Sequence, residues 1–455
     1  MATDAHGTWI NFAPTAPMAG VTIDSRKIKR GMLFFAIQTE KDDGHRYLSS
    51  ALDNGACGAM VEHYNENVQI PQMVVHNSIA ALQSIAAARR KRYTNSVIAI
   101  AGSYAKTTTK ELLALLLGRS ETLASAGNEN NTIGVPLTLL KLDRDRHRYA
   151  VIEAGISRSG EMTAITEILL PSHVIFTAIS QKHLEFFPSR EALLEEKLRI
   201  CEPVLKQNGL IVTEKSLAQL PQFTPFSKHL YAISRGQVRR DDAISYATHW
   251  QNGKMFCRIT FPDSEIAEED YELPIPSAGF AYDFALCRAL TKRFNIAQEE
   301  TAIRLAMWKS IPLRGQIFRH RMKKQTYFVD CYNSDVPTLV ESIGIFKRKF
   351  PYVPHYYIIG SLGEYGIESE CQHRLAGEQI PIGPHAHVFF LGEECIFTCD
   401  ALKRRGFPSE NLHMCMNLDE IRTAIREVEG AVYLKGSRIH QLEQLLDPDA
   451  CELIN

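Results

Sequence analysis

"SVIAIAGSYAKTTTKELLALLLG", residues 96–118, decides the fold. Its first six residues form an apolar run that reads as a buried strand. The closing "ELLALLLG" reads as a helix ending at Gly118. The tight turn between them places Lys106 and three threonines where the helix begins. A strand, loop and helix in this order aim backbone N–H groups and the positive end of the helix dipole at one point, as a phosphate-binding loop does. The stretch does not fit the pattern G-x-x-x-x-G-K-[ST], because Ile100 occupies the first glycine position. It fits a shorter G-x-x-G-K-T only with Ala105 in place of the second glycine. If that position needs positive φ, alanine costs about 1–2 kcal/mol. Taken alone, the stretch reads equally well as an ordinary strand–helix turn.

Outward from it, strand-like runs "YAVIEAG", "HVIFTAIS" and "GLIVTE" alternate with helical "EMTAITEILL" and "REALLEEKLRICEPVLKQ". Such alternation predicts a parallel sheet covered on both faces. Residues 228–275 look like a small antiparallel insert, and "FAYDFALCRALTKRF" closes the block as a helix. Before this block, "GMLFFAI", "GAMVEH" and "QMVVH" are short strands with helical patterns between them, and the basic end "RRKRY" reads as the polar last turn of a helix. After it, "TYFVDCY", "HYYIIGS", "AHVFFLG" and "GAVYLKGS" predict another alternating α/β unit. The expected domains are 1–93, 94–309 and 310–455, which agrees with a length of 455 residues.

Composition excludes more than it assigns. Hydrophobic residues are 45% and charged residues 23%, as in ordinary globular chains. A net charge of −1 gives no field that would gather nucleic acid or a membrane surface. No apolar run approaches the roughly 18 residues of a membrane span, and the first residues lack signal-peptide character. The ten cysteines have no metal-type spacing and read as reduced thiols of a cytoplasmic protein. Glu153 and His183 follow successive strands, where open α/β sheets present ligand-binding groups. Each alone is unremarkable, but together they point to one crevice. Lys197, by its residue type and place, is only a helix lysine, and "DSR" at Asp24–Arg26 only a polar turn.

The ordered series "DSRKIKRGMLFFAI", "KTTTKELLALLL", "NENNTIGVPLTLL", "IEAGISRSGEM", "KHLEFFPSREALLEEKLRI", "VDCYNSDVPTL" and "LKGSR" resembles the Mur ligase family, the ATP-dependent ligases of peptidoglycan precursor synthesis. The resemblance spans nearly the whole chain. It implies an α/β fold of three domains, with a central phosphate-loop ATPase sheet and a Rossmann-like C-terminal domain. It implies ATP and Mg²⁺ as cofactors, UDP-MurNAc-tripeptide and D-alanyl-D-alanine as substrates, an acyl-phosphate intermediate, and a cytoplasmic monomer. By motif, Gly102, Ser103, Ala105, Lys106, Thr107 and Thr108 would hold the phosphates, and Gln316, Asp330 and Asn333 would approach the nucleotide. Thr107 and Glu153 would ligate Mg²⁺, and His183 a second metal with Lys197 as a carbamate. Asp24, Ser25 and Arg26 would bind the uridine diphosphate. Asn130, Asn131, Thr132, Lys435, Ser437 and Arg438 would lie along the substrate. Lys435, Ser437 and Arg438 are also readable as a basic turn after a strand.

The chain departs from the family pattern mainly where the nucleotide is handled. Ala281 and Phe284 align with two adenine-contacting asparagines, and Phe284 could stack on the base instead. Gln316 stands where an arginine is expected, with Arg314 nearby as a substitute. Two other readings therefore accompany D-alanyl-D-alanine addition: amide ligation on an acid outside peptidoglycan, and a catalytically weak nucleotide-binding scaffold.

Overall fold

The strand Ser96–Ala101 lies inside a nine-stranded sheet and hydrogen-bonds in parallel to Tyr149–Glu153 on one side and His173–Phe176 on the other. This is a computed structural model; it describes residues 2–10, 12–40, 42–179, 186–236, 243–262, 268–363 and 365–454. Alternation along these strands divides the core. Val97, Ala99 and Phe176 pack on one face with the helices Glu161–Leu169 and Arg190–Leu198. Ile98, Ile100 and Ile175 pack on the other with Lys106–Leu117, the loop helix, and Ala278–Arg293, the cleft helix. Both faces are buried, which is why the strands read as continuous apolar runs.

The sheet continues outward through Ile211–Glu214, Leu230–Arg235 and Ile244–Gln251, all parallel to it. Lys254–Thr260 then runs antiparallel to them, and Glu268–Glu272 pairs antiparallel with it. The expected insert at 228–275 is thus the far edge of the central sheet, extended by a hairpin. Short polar-ended strands hid this, because sequence alone does not show which partner a strand pairs with. The last strand is tied to the cleft helix by ions. Glu269, 1% exposed, takes hydrogen bonds from Arg288 Nε (2.7 Å) and Nη2 (2.9 Å), Lys292 Nζ (2.7 Å) and the Tyr271 hydroxyl (2.6 Å). Burial works against the Glu269 carboxylate, but these donors win and hold its pKa below the ordinary value. Removing one partner of such a buried pair costs about 3–5 kcal/mol.

A separate five-stranded sheet precedes the central one, with strands between Thr8 and Val74. The helix Ser78–Lys91 leads from it to the central sheet. Its basic end is more than a solvated turn. Arg90 is buried and donates to the carbonyls of Leu169 (2.7 Å) and Leu170 (2.6 Å), closing the C-terminus of the next helix layer, while Arg89 Nε donates to Leu142 O (2.9 Å). A third sheet of seven strands follows, with five parallel strands, Gln316–His320 antiparallel to them, and Cys451–Leu453 pairing antiparallel with Gln316–His320 at the edge. The helix Val336–Lys349 of this unit, begun by a capping box at Asp335 and Thr338, turns one end toward the cleft helix. All ten cysteines are free thiols. Among the described residues no helix is long and apolar enough to cross a membrane.

Candidate active site

The C-terminal ends of the central strands open on a cleft of about 1390 Å³ whose far wall belongs to the third sheet and its loops. The turn after Ala101 is shaped by two backbone facts. Gly102 has φ +138, and a Cβ there would fall 2.1 Å from Thr177 Oγ1, so the residue must be glycine. Ala105 has φ 64 and ψ −3, the left-handed conformation that the sequence predicts as strained. The strain is held by packing. Ser103 N donates to Ala178 O (2.8 Å), and Thr109 N to Ala105 O (2.9 Å). No side chain caps the loop helix that starts at Lys106 among the described residues. Its first-turn N–H groups lack intrahelical acceptors and mark an anion site.

Beside that turn, Thr107 Oγ1 donates to Glu153 Oε2 (3.0 Å), and Asn130 Nδ2 donates to Glu153 Oε1 (2.9 Å). Glu153 is 3% exposed at the end of its strand, and its own N–H donates to Ser125 Oγ (2.9 Å). A buried carboxylate held by neutral donors next to a hydroxyl is an oxygen set suited to a hard divalent cation. Lys197, 2% exposed, donates to Gly102 O at 3.0 Å and so buttresses the loop from behind. His183 lies outside the described residues. Among those described, no group of three or more His, Cys, Asp or Glu side chains gathers to hold a metal.

The third unit completes the cleft. Arg314 Nη2 donates to Thr107 Oγ1 (3.3 Å), and its guanidinium lies 4.4 Å from the Tyr332 ring centroid. Gln316 does not line the cleft; its Oε1 accepts from Leu313 N (3.0 Å) and fixes the turn that presents Arg314. The arginine two residues earlier is therefore the one that reaches the start of the loop helix. Asp330 and Asn333 do line the cleft, and Lys435 binds them together, donating to Asp330 Oδ2 (2.7 Å) and Asn333 O (3.3 Å). Ser437 and Arg438 line the same wall, with Arg438 paired to Glu443.

The other sequence-predicted residues lie elsewhere. Asn131 Oδ1 accepts from Gly134 N (2.8 Å) and shapes the start of the helix Gly134–Leu139. Thr132 O accepts from Gln83 of the preceding unit (3.0 Å). Asp24 caps a short turn and pairs with Arg26 Nε (2.9 Å), whose guanidinium holds the Asp24 carboxyl below its ordinary range, and Ser25 is buried under them. None of these lines the cleft.

The cleft helix corrects one expectation. Ala281 and Phe284 are each 0% exposed, and Phe284 packs edge-on to Tyr271 in the core. Neither reaches the cleft, so Phe284 cannot stack on a base. Gly279, Phe280 and Asp283 line it instead. The alignment is one residue out of register, and one residue on a helix is a rotation of about 100°. Sequence reasoning also missed Glu341, which crosses from the third unit to accept from Ser277 Oγ and Gly279 N, both at 2.6 Å. No local signal marks that contact.

Two family models match the chain: the Mur ligase family catalytic domain over residues 17–99, and the Mur ligase middle domain over residues 100–283. The chain belongs to the Mur ligase family. Within that family it is similar to UDP-N-acetylmuramoyl-tripeptide--D-alanyl-D-alanine ligases. That of Haemophilus influenzae is 27% identical over 94% of this chain and 92% of its own length. That of Escherichia coli is 28% identical over 82% of this chain and 81% of its own. In fold it is similar to MurF of Acinetobacter baumannii, with a TM-score of 0.81 at 23% identity over 98% of this chain and 96% of the other. It is also similar to a Thermotoga maritima MurF ligase crystallised with ADP, with a TM-score of 0.75 at 22% identity over 94% and 96%.

Proposed function

We propose that this chain is an ATP-dependent amide ligase that joins D-alanyl-D-alanine to a UDP-MurNAc-tripeptide. The observation that carries the reading is the meeting of Lys106, Thr107, Glu153 and Arg314 around one uncapped helix N-terminus in the interdomain cleft. The likeness to named D-alanyl-D-alanine ligases over most of both chains supports it. The proposed domains are 1–93, 94–309 and 310–455, a division that the succession of three sheets supports. In this reading the enzyme is a cytoplasmic monomer.

Two anions, the peptide carboxylate and the nucleotide phosphates, must approach each other. The loop amides and Lys106 bind the phosphates and offset that repulsion. Arg314 adds a second cation from the opposite wall, so the site is complete only when the two units close on it. Thr107 and Glu153 would hold Mg²⁺, which supplies charge neutralisation and orientation of the phosphates when bound. Asn130 keeps the Glu153 carboxylate turned toward the loop. Lys197 positions the Gly102 turn; as a carbamate it would become an anion, exchange that bond for one to a metal, and need His183 as its neighbour. The carboxylate takes the γ-phosphoryl group of ATP, with ADP leaving, to give an acyl phosphate; the dipeptide amine attacks its carbonyl carbon, and loss of phosphate and a proton leaves the amide. A closed cleft excludes the water that would hydrolyse the acyl phosphate. Asp24, Ser25 and Arg26 form the remote diphosphate site, where Arg26 would trade its bond to Asp24 for phosphate oxygens. Asn131 and Thr132 support the loop of Asn130, while Ser437 and Arg438 face the substrate from the third unit.

The test is phosphate release from ATP with a panel of UDP-MurNAc-peptides and amine acceptors. Release that depends on both a UDP-MurNAc-tripeptide and D-alanyl-D-alanine is expected. Release with a different acid alone would favour an amide ligase outside peptidoglycan, and binding of ATP without release under any pairing would favour a scaffold.

A further inference from the structure

Lys110 is a buried cation that the phosphate chemistry leaves unused. It lies one turn past Lys106 and Thr107 on the loop helix and is 0% exposed. Lysine is almost never fully buried unless it is paired. An ammonium has three donors. Here Nζ donates to Ser125 O (2.6 Å) and to Gly127 O (3.1 Å), and Glu111 Oε1 lies 3.3 Å away. Both carbonyls belong to the segment 125–130, which follows the strand Thr122–Ala124. That segment grips Glu153 at main chain and side chain. Ser125 Oγ accepts from Glu153 N (2.9 Å), and Asn130 Nδ2 donates to Glu153 Oε1 (2.9 Å). Asn130 O also accepts from Gly155 N (2.8 Å), two residues further on. A Cβ on Gly155 would fall 3.1 Å from the Asn130 side chain, so the segment is seated closely. Thr107 closes the circuit by donating to Glu153 Oε2 (3.0 Å) from the helix that carries Lys110.

We propose that Lys110 is a positioning residue for the metal end of the site. By clamping two carbonyls it fixes the segment 125–130, and through that segment the direction in which Glu153 faces a divalent cation. The proposal rests on the ligase reading for its metal and nucleotide, and adds the residue that sets the carboxylate. Lys110 does not itself line the cleft, whereas Lys106 and Thr107 do. Its donors go to carbonyls and not to Glu153, so the charge of that carboxylate stays available to a cation. An apolar side chain of similar length would fill the same space without the cost of dehydrating an ammonium. It would leave the two carbonyls without their donor and the segment free to shift. Groups that orient a metal ligand from behind govern metal affinity almost as strongly as the ligand does. A shift of the segment would reach the metal through Ser125 and Asn130, and leave the loop amides that bind phosphate in place.

The experiment is calorimetric binding of the β,γ-imido analogue of ATP to the full-length protein, once in Mg²⁺ and once in EDTA. The ratio of the two Kd values reads the contribution of the metal. The variants are Lys110→Met, which keeps the length and loses the donors, Lys110→Gln, which keeps a shorter polar head, and Ser125→Ala, which removes the acceptor of Glu153 N. Wild type is expected to bind the analogue more tightly in Mg²⁺ than in EDTA. Lys110→Met should reduce that gain about tenfold and leave the affinity in EDTA within about twofold of wild type. Ser125→Ala should reduce the gain about threefold, and add little in the double variant, since both changes act through one segment. Lys110→Gln should fall between wild type and Lys110→Met, and it decides the matter if Lys110→Met does not fold. In turnover, Lys110→Met should lower kcat about tenfold with KM for D-alanyl-D-alanine within about twofold. A folded variant at Lys110 that keeps the wild-type gain overturns the proposal. Equal weakening in Mg²⁺ and in EDTA does so too, because it marks a residue that only supports the loop helix. Full additivity of Lys110→Met and Ser125→Ala, or wild type whose affinity ignores Mg²⁺, also overturns it. Failure of the ligase reading looks different: these binding ratios stand, and no substrate pair yields phosphate.

Discussion

The two ends of the cleft are built on opposite terms. At the phosphate end the polar groups bind one another. Glu153 is held by Thr107 and Asn130, Lys197 by Gly102 O, and Arg314 by Thr107 and the Tyr332 ring. At the helix end Asp283 Oδ1 and Trp308 Nε1 are buried without partners among the described residues, beside a carboxylate, Glu341, that accepts from the start of the helix across the two units. The first end is preorganised for charge and holds its shape by itself. The second carries unpaired buried polar atoms, each at a cost of about 1–3 kcal/mol. A site can thus invest stability at one end and give it up at the other.

The largest effect that tests this contrast is at the phosphate end. Lys106→Ala is expected to lower kcat/KM about 10²–10³-fold with thermal unfolding unchanged, since it deletes charge without disturbing the Thr107–Glu153 pair. Wild-type turnover in this variant would remove the phosphate end from the chemistry. Glu153→Gln should cost about 10–100-fold, with part of the loss recovered at raised Mg²⁺ in a steady-state titration. Insensitivity to Mg²⁺ would show that Glu153 is only a structural acceptor.

At the helix end the sign reverses, and the change should stabilise. The Asp283 pKa is raised in the folded chain, so the folded state holds its proton above the pH at which the unfolded chain releases it. Stability from this group is complete below the unfolded value near 3.8 and is lost as pH rises toward the folded value. Asp283→Asn should therefore be more stable than wild type by about 1–2 kcal/mol at pH 8 in urea unfolding, with the gap narrowing toward pH 4. A gap that is constant with pH would mean that the carboxyl is not titrating between the two states. The smallest effect belongs to Ala105→Gly. Its strain is borne by the folded loop itself, so glycine should add about 1 kcal/mol to stability, less the entropy that glycine gives the unfolded chain, and shift ATP affinity less than threefold. A tenfold gain in affinity would show instead that the loop adopts its left-handed turn only with nucleotide.

The sequence by itself determined the strand, turn and helix around Lys106 and the succession of sheets. Continuous apolar runs ending in a tight turn before an apolar helix allow few other local arrangements, because local sterics and the burial of both strand faces act over neighbouring residues. The left-handed Ala105 was legible for the same reason. The strand-end position of Glu153 followed from alternation alone. What tertiary structure decided are the facts that depend on rotation and on distant partners. A single-residue phase on the cleft helix separates Asp283 in the cleft from Phe284 in the core, and helical periodicity in an almost wholly apolar stretch does not fix that phase. Leu230–Arg235 and Ile244–Gln251 joined the central sheet because their hydrogen-bonding edges met it, which no local pattern encodes. Arg314 rather than Gln316 reaches Thr107 because the chain turns at Leu313 and Gly315, both with positive φ, so direction there is set by the backbone and not by the order of side chains. Glu341 meets Ser277 and Gly279 across more than sixty residues, a contact that exists only once two independently encoded units have packed together.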